Sequence, residues 1–229
     1  MTAACNTGSD YDVIVVGSGS AGLAAAISAA ENGARTLMVE KNPDLGGTTG
    51  WSVGSITTSG SPHQKAAGVA DDPEQHFADM PLFHTDRLKG RDNEALRRLL
   101  VDNTPPTFDW LLSLGLVFYG PMPEPPHTKP RMHNILPNSR MFIHHLSKHA
   151  RKLGIDIRTA TPMRDLIVDD GRVSGIVTAD GERIGARRGV ILAAGDFSAN
   201  PSLKQRYMPP EVAQIGPFNE TSTGDWHDP

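Results

Sequence analysis

The clearest hydrophobic pattern lies near the start of the chain. Val13-Ile14-Val15-Val16 is an unbroken β-branched run, the pattern of a strand buried on both faces. Gly17 interrupts it, and Ala21 to Ala30 is rich in helix formers, with Leu23 and Ile27 four apart. Asn32-Gly33 is a helix stop. Thr36 to Val39 is a second apolar run, closed by Glu40. The order predicts a βαβ unit of about 30 residues with a right-handed crossover.

Further along, the pattern loosens and then returns. Residues 41–61 are rich in Gly, Ser and Thr, broken by Trp51, Val53 and Ile56. Residues 62–90 are polar, with a short helix expected near 73–80. Residues 92–102 read as a helix with Leu96, Leu99 and Leu100 on one face, and 107–114 as a second helix stopped by Gly115. Pro121, Pro123, Pro125, Pro126 and Pro130 predict an extended surface loop over 119–137, or a linker. Asn138 is a suitable N-cap for a helix through Leu153, with Met141, Leu146 and Leu153 inward. Residues 155–158 then read as a strand. Met163–Asp169 and Val173–Thr178 flank Asp170-Gly171, a strong hairpin signal, and 189–193 read as a last buried strand. The expected fold is α/β and Rossmann-like, a parallel sheet with a helical excursion and a small β-hairpin or meander. One domain over 1–229 is expected: a βαβ motif at 10–41, helices at 62–115, the Pro-rich loop at 119–137, a second sheet portion at 138–200 and a tail at 201–229.

Composition narrows the function classes. With 22 Lys+Arg against 26 Asp+Glu the net charge is −4, and 38% of residues are hydrophobic. That excludes an acidic disordered tail and a basic nucleic-acid binder. A lone cysteine, Cys5, excludes an internal disulfide framework and a Cys-rich metal site. The chain has no 18-residue apolar stretch and no signal-peptide pattern, so a cytoplasmic protein with no membrane and no nucleic-acid partner is expected.

Chemistry concentrates at the first turn. Gly17-Ser18-Gly19-Ser20-Ala21-Gly22 has the form G-x-G-x-x-G between a strand and a helix, and Glu40 closes the next strand. Gly17 permits the tight turn, Gly19 lets backbone approach a pyrophosphate, and Gly22 lets helix and strand pack closely. The helix amino terminus offers unpaired N–H groups to phosphates. Glu40 would accept ribose hydroxyls and disfavour a 2′-phosphate. After Glu40-Lys41, the turn Gly46-Gly47-Thr48-Thr49 suits a cofactor lying extended across the domain, with Gly54 and Ser55 further along its path. An ordinary NAD domain does not require that second Gly-Gly turn. An unliganded Gly-rich turn remains the plain structural alternative.

These motifs resemble the FAD-binding domain of the fumarate reductase/succinate dehydrogenase flavoprotein family, which also includes ketosteroid dehydrogenases and urocanate-type reductases. Two later stretches are similar to it as well. Leu136-Pro137-Asn138-Ser139-Arg140 precedes a helix, and Val190 to Phe197 looks like the second flavin motif, with Ala194 where the family has Thr. The resemblance covers about residues 10–225. It implies that Ala21 and its neighbours hold the pyrophosphate, Glu40 the ribose, and Lys41 lies beside the adenine. Thr48, Thr49, Gly54 and Ser55 would line the path to the flavin ring. Met163 would meet the adenine through its backbone, and Ala194, Gly195 and Asp225 would be further contacts. Family members with covalent flavin use a His after the Gly-Gly turn; residues 48–55 contain none, so noncovalent FAD is expected.

The family reaction is hydride transfer between flavin and a substrate C–C bond, with a small-molecule substrate. Its clamps and proton donor lie in a capping domain and a returning FAD segment, both expected to be absent here, so no catalytic residue is assigned. Thr223-Gly224-Asp225 resembles the start of a Thr-Gly-Asp-Gly motif, with Trp226 in place of the second Gly. This fits a truncated or frame-shifted reading, a partner chain being one source of the missing segments. The competing readings are a noncatalytic FAD-binding remnant and an NAD dehydrogenase. His145 and His149 are spaced for a metal, but no Glu or Cys completes a set, and no metal is expected. Arg97-Arg98, Arg151-Lys152 and Arg187-Arg188 read as surface charge, and Tyr119 and Trp51 as packing residues.

Overall fold

The computed structural model describes residues 11–86 and 90–227; Cys5 lies outside them. In chain order the elements are β1 (Tyr11–Val16), α1 (Ser20–Glu31), β2 (Thr36–Val39), β3 (Ser55–Thr57), α2 (Pro62–Ala66), α3 (Pro73–Asp79) and α4 (Glu94–Ser113). They continue with β4 (Phe118–Met122), β5 (Met132–Ile135), α5 (Arg140–Lys152), β6 (Asp156–Arg158), β7 (Met163–Asp169), β8 (Arg172–Thr178), β9 (Arg183–Leu192), α6 (Pro201–Tyr207) and α7 (Pro210–Ala213). Short 3-10 turns occupy Gly47–Trp51 and Met80–Phe83. The chain divides into two units: residues up to Trp51 together with those from Phe142 onward, and Ser52–Met141.

The first unit is built on a six-stranded sheet, order β6-β2-β1-β9-β8-β7. β6, β2, β1 and β9 run parallel, with Val13 to Val16 in register with Thr36 to Val39 on one side and Gly189 to Leu192 on the other. All four residues of β2 are buried, as its continuous apolar run predicts for a strand with neighbours on both sides. α1 places Gly22, Leu23, Ala26 and Ile27 inward, and Gly33 ends it with φ 77°. β7 and β8 form the expected hairpin. Asp170 and Gly171 have φ 50° and 76°, the left-handed pair that a two-residue type I′ turn requires. β9 then pairs antiparallel with β8 through its first half and parallel with β1 through its second. The final residues of β9 depart from expectation: Ile191 and Leu192 are 39% and 45% exposed rather than buried, and Leu192 lines the cleft described below.

The second unit has a three-stranded antiparallel sheet, order β3-β5-β4. Its apolar centre is formed by Val101, Phe108, Leu111, Phe118 and Ile135, with the Phe108 and Phe118 rings 4.7 Å apart. Three expectations are corrected here. The two short helices are one, α4, with Pro105 and Pro106 inside it. Proline removes an N–H from the helical ladder, and the Val101 carbonyl left by Pro105 accepts instead from Thr104 Oγ1 at 3.5 Å. Leu96, Leu99 and Leu100 are exposed, because the neighbouring arginines face α3: the Arg97 and Arg98 guanidinium groups lie 4.1 and 3.9 Å from the Phe77 ring centroid. Arg98 also pairs with Glu74 at 2.8 Å and Arg97 with Asp92 at 3.0 Å, so this pair is more than surface charge. The Pro-rich segment contains β4 and β5 rather than a continuous loop. Pro121 is tolerated because β4 is an edge strand, where a missing N–H breaks no internal ladder.

Beneath this sheet lies a buried polar network. Arg131 is fully buried and bonds Asp71 through Nε and Nη2, each at 2.7 Å, and Asp79 through Nη1 at 2.6 Å. Gln64 Nε2 donates to Asp71 and to the Pro130 carbonyl, both at 2.8 Å, and Thr128 donates twice to Asp79. A guanidinium with two carboxylates satisfies the rule that a buried charge must be paired.

Candidate cofactor site

The site grows from the turn after β1. Gly17 has φ 101°, and a Cβ there would overlap the Ala193 carbonyl, so this turn and the end of β9 touch backbone to backbone. A Cβ on Gly22 would overlap the Gly17 carbonyl oxygen, which fixes α1 against β1. Gly19 differs. Its nearest neighbours to an added Cβ are Thr49 Oγ1 at 3.7 Å and the Gly46 carbonyl at 3.9 Å, ordinary contacts with no overlap. Of the three glycines, two serve packing and one leaves room for a ligand.

Ser18 and Glu40 tie the loops together. Ser18 is fully buried, and its N and Oγ donate to Glu40 Oε2 at 2.9 and 2.6 Å. Gly46 N donates to Ser18 Oγ at 3.1 Å, which draws in the Gly-Gly turn. Glu40 Oε1 accepts from Asn42 N at 2.9 Å and Nδ2 at 3.0 Å. Thr49 Oγ1 accepts from Ser20 N at 3.1 Å. Lys41 Nζ donates to Thr223 Oγ1 at 2.5 Å and pairs with Asp225 Oδ2 at 2.7 Å. Burial pushes the Asp225 carboxyl up, but the hydrogen bonds from Lys41 and Thr223 outweigh it and hold it below the usual carboxylate range.

These groups border one cleft of about 490 Å³. Gly17, Ser18, Gly19, Ser20, Ala21, Glu40, Lys41, Gly47, Thr48, Thr49, Met163, Ala194, Gly195 and Asp225 all line it. Gly22 does not, being used in packing, and Gly46 does not, its φ of 126° setting it against Ile143. Gly54 and Ser55 lie in the second unit, where Gly54 packs on Ile135 and Ser139 and Ser55 Oγ donates to Asn134 Oδ1 at 2.5 Å. The sequence reading missed Asn42, Thr161, Pro162, Asp196, Asn219, Thr221, Ser222, Trp226 and His227, which also line the cleft. Only Asn42, two residues beyond the acid that ends β2, carried a positional signal.

The residues fit an extended dinucleotide. The α1 amino terminus has no acidic residue in its first turn, and its Ser20 N–H is met by the neutral Thr49 hydroxyl rather than by a charge. Gly195, with φ 85° and no atom within 4 Å of an added Cβ, leaves the opposite wall open. The residues matching the family model for an FAD binding domain run from 12 to 228, through both walls of this cleft.

The chain belongs to this FAD-binding family.

The chain is 33% identical over 208 residues to an NADH:fumarate oxidoreductase of Klebsiella pneumoniae, covering 87% of this chain and 22% of that protein. It is 33% identical over 218 residues to a fumarate reductase (cytochrome) of Shewanella frigidimarina, covering 84% and 36%. Among solved structures, the open conformation of a flavocytochrome c3 fumarate reductase matches with TM-score 0.83 and 30% identity, over 94% of this chain and 39% of that one. A 3-ketosteroid-Δ4-(5α)-dehydrogenase from Rhodococcus jostii RHA1, in complex with 4-androstene-3,17-dione, matches with TM-score 0.82 and 28% identity, over 97% and 54%. The chain thus spans between about a fifth and a half of the relatives it matches, and corresponds to their FAD-binding part. FAD is the cofactor of this family member. Among the described residues no helix is long and apolar enough to cross a membrane, and no group of three or more His, Cys, Asp or Glu is placed to hold a metal. His149 instead meets Glu31, at 3.0 Å.

Proposed function

We propose that this FAD-binding domain serves an oxidoreductase of the fumarate reductase type, acting on a carbon–carbon bond of a small organic substrate with noncovalent FAD. Bound FAD supplies hydride transfer at its flavin ring, chemistry that no amino-acid side chain offers. The chain's own residues bind and orient. The N–H groups at the start of α1 would take the pyrophosphate, with Gly19 leaving room for its approach. Glu40 would take the ribose hydroxyls on Oε1, where Asn42 Nδ2 now donates. Thr48 and Thr49 offer hydroxyls along the same wall, and Met163, Ala194 and Gly195 line the opposite one. No residue of this chain is given the proton-transfer role.

The observation that carries this reading is the meeting of a helix terminus free of acidic residues in its first turn, a glycine at position 19 and a buried acid in one cleft. Noncovalent attachment is supported by residues 48–55, which include no histidine. The test is purification with free FAD, an absorbance spectrum, and acid precipitation. A flavin spectrum with all flavin released to the supernatant is expected. Flavin kept on the polypeptide would overturn the noncovalent reading, and binding of NAD in place of flavin would overturn the reading as a whole. The chain reduced with dithionite is expected to reoxidise slowly or not at all with fumarate, since no substrate clamp is assigned within it; fast reoxidation would place the chemistry inside this chain.

A further inference from the structure

Residues 219–225 cross the rim of the cleft and are held there on two sides. At the front, Asn219 Nδ2 donates to Thr48 Oγ1 at 3.0 Å, and Thr48 Oγ1 lies 3.3 Å from Ser222 Oγ. Asn42 Nδ2 reaches Thr221 Oγ1 at 3.4 Å. Lys41 Nζ holds both Thr223 and Asp225, and Thr223 Oγ1 donates to Asp225 Oδ1 at 2.5 Å. At the back, Ala199 N donates to the Ser222 carbonyl at 2.9 Å and Asn200 Nδ2 to the Thr223 carbonyl at 3.0 Å. Gly224 has φ 66°, and an added Cβ would strike Phe197 and Leu203, so the path of this segment is built rather than draped.

The front contacts fall on Lys41, Asn42 and Thr48, which line the cleft. Lys41 is the one lysine or arginine among the described residues that do so, and its charge is turned to Asp225. We propose that residues 219–225 are a latch over the FAD cleft, pinned by the Lys41–Asp225 ion pair, which opens to admit the cofactor and closes to retain it. Lys41 is then a positioning residue for the latch and not primarily an adenine contact. The pair is partly exposed, its side chains 28% and 43% accessible, as a contact that must break and re-form requires. The proposal rests on FAD occupying this cleft.

The test uses the full chain as wild type, Lys41→Met, Lys41→Arg, Asp225→Asn and the Lys41→Met/Asp225→Asn double variant. FAD release is followed by the change in flavin fluorescence after dilution far below the dissociation constant. Each single neutralising variant is expected to release FAD about threefold to tenfold faster, the range for a partly exposed ion pair and its attached hydrogen bond. The double variant should release no faster than the singles, and Lys41→Arg should restore most of the retention. Release from wild type should quicken with salt, and release from Lys41→Met should not. Asp225→Asn discriminates most sharply: were Lys41 only a cofactor contact, freeing it would slow release. Slower or unchanged release in Asp225→Asn, or additive effects in the double variant, would overturn the latch. A second arm needs no flavin. Amide hydrogen exchange over 221–225 in the apoprotein should quicken in both single variants, and unchanged exchange would overturn the pin however FAD behaves.

Discussion

Replacing Gly19 with alanine separates folding from cofactor binding. Gly19 is the N-cap of α1 with φ −64° and ψ 178°, a conformation open to any L-residue. An added methyl meets Thr49 Oγ1 at 3.7 Å and the Gly46 carbonyl at 3.9 Å, both ordinary contacts. Exchanging Gly for Ala at an N-cap costs a few tenths of a kcal/mol or somewhat more, and reducing the freedom of the unfolded chain returns about 0.4–1 kcal/mol. The apoprotein should therefore keep its stability to within about 0.5 kcal/mol. In the proposed arrangement, however, the methyl would occupy the face through which the pyrophosphate approaches the N–H groups. Loss of one charge-assisted hydrogen bond, about 1.5–3 kcal/mol, weakens FAD binding roughly tenfold to 150-fold. Urea unfolding of the apoprotein and a fluorescence titration with FAD measure the two quantities separately. Unchanged FAD affinity in Gly19→Ala would refute the placement of the pyrophosphate. Gly22→Ala is the contrasting control: its Cβ overlaps the Gly17 carbonyl, so the fold itself should fail.

Three further outcomes are expected. Glu40→Gln presents an amide to buried donors from Ser18 or Asn42, so it should lower stability by about 1–3 kcal/mol and weaken FAD binding more than tenfold, by the same two assays. Arg131→Met strands two buried carboxylates and should cost about 3–5 kcal/mol in urea unfolding, with Asp71→Asn and Asp79→Asn added to Arg131→Met recovering part of the loss. His76 is held at about 4, against an ordinary 6.5, by burial first and then by Arg131 and His127. It is neutral when folded, so between pH 6.5 and 4 the unfolded chain takes the proton first, and stability falls with pH by up to about 3 kcal/mol. His127 is shifted down by burial first and then by Arg131, and adds to the slope. Above pH 6.5 His76 contributes no slope, and a His76→Gln variant should flatten the acid limb of a plot of unfolding free energy against pH.

The parts of the fold that could be read from residue order are those governed by local chemistry. The β1–α1–β2 unit has a continuous apolar run, a glycine turn and a capped stop, each forcing one local answer. The Asp170-Gly171 hairpin is equally local, because the two left-handed residues fix the turn. Helix α4 was misread because the proline rule is also local, whereas this helix continues on tertiary packing of Val101, Phe108 and Leu111. Periodicity places its leucines on one face but does not say which face is packed. Only the position of Phe77 shows that the arginine face is the packed one. At the cleft, the first wall was legible as a spaced motif. The second wall, residues 219–227, is brought there by contacts such as Lys41 to Asp225, across 184 residues of chain, and no local pattern encodes such a pairing.

The split origin of the six-stranded sheet has a consequence for the order of events during synthesis. β1 lies between β2 and β9, and Asp12 and Arg187, which bond at 2.9 Å, are 175 residues apart. At a translation rate of about 5–20 residues per second, one edge of β1 waits roughly 9–35 s for its partner. Residues 52–141, which carry their own sheet and the buried Arg131 network, emerge wholly within that interval. The inserted unit therefore has time to fold first on the ribosome, while β1 and β2 stand as an unfinished ribbon. An exposed β-branched edge in a nascent chain is an aggregation hazard, so the hairpin β7–β8, which delivers β9, is the step that ends the exposure.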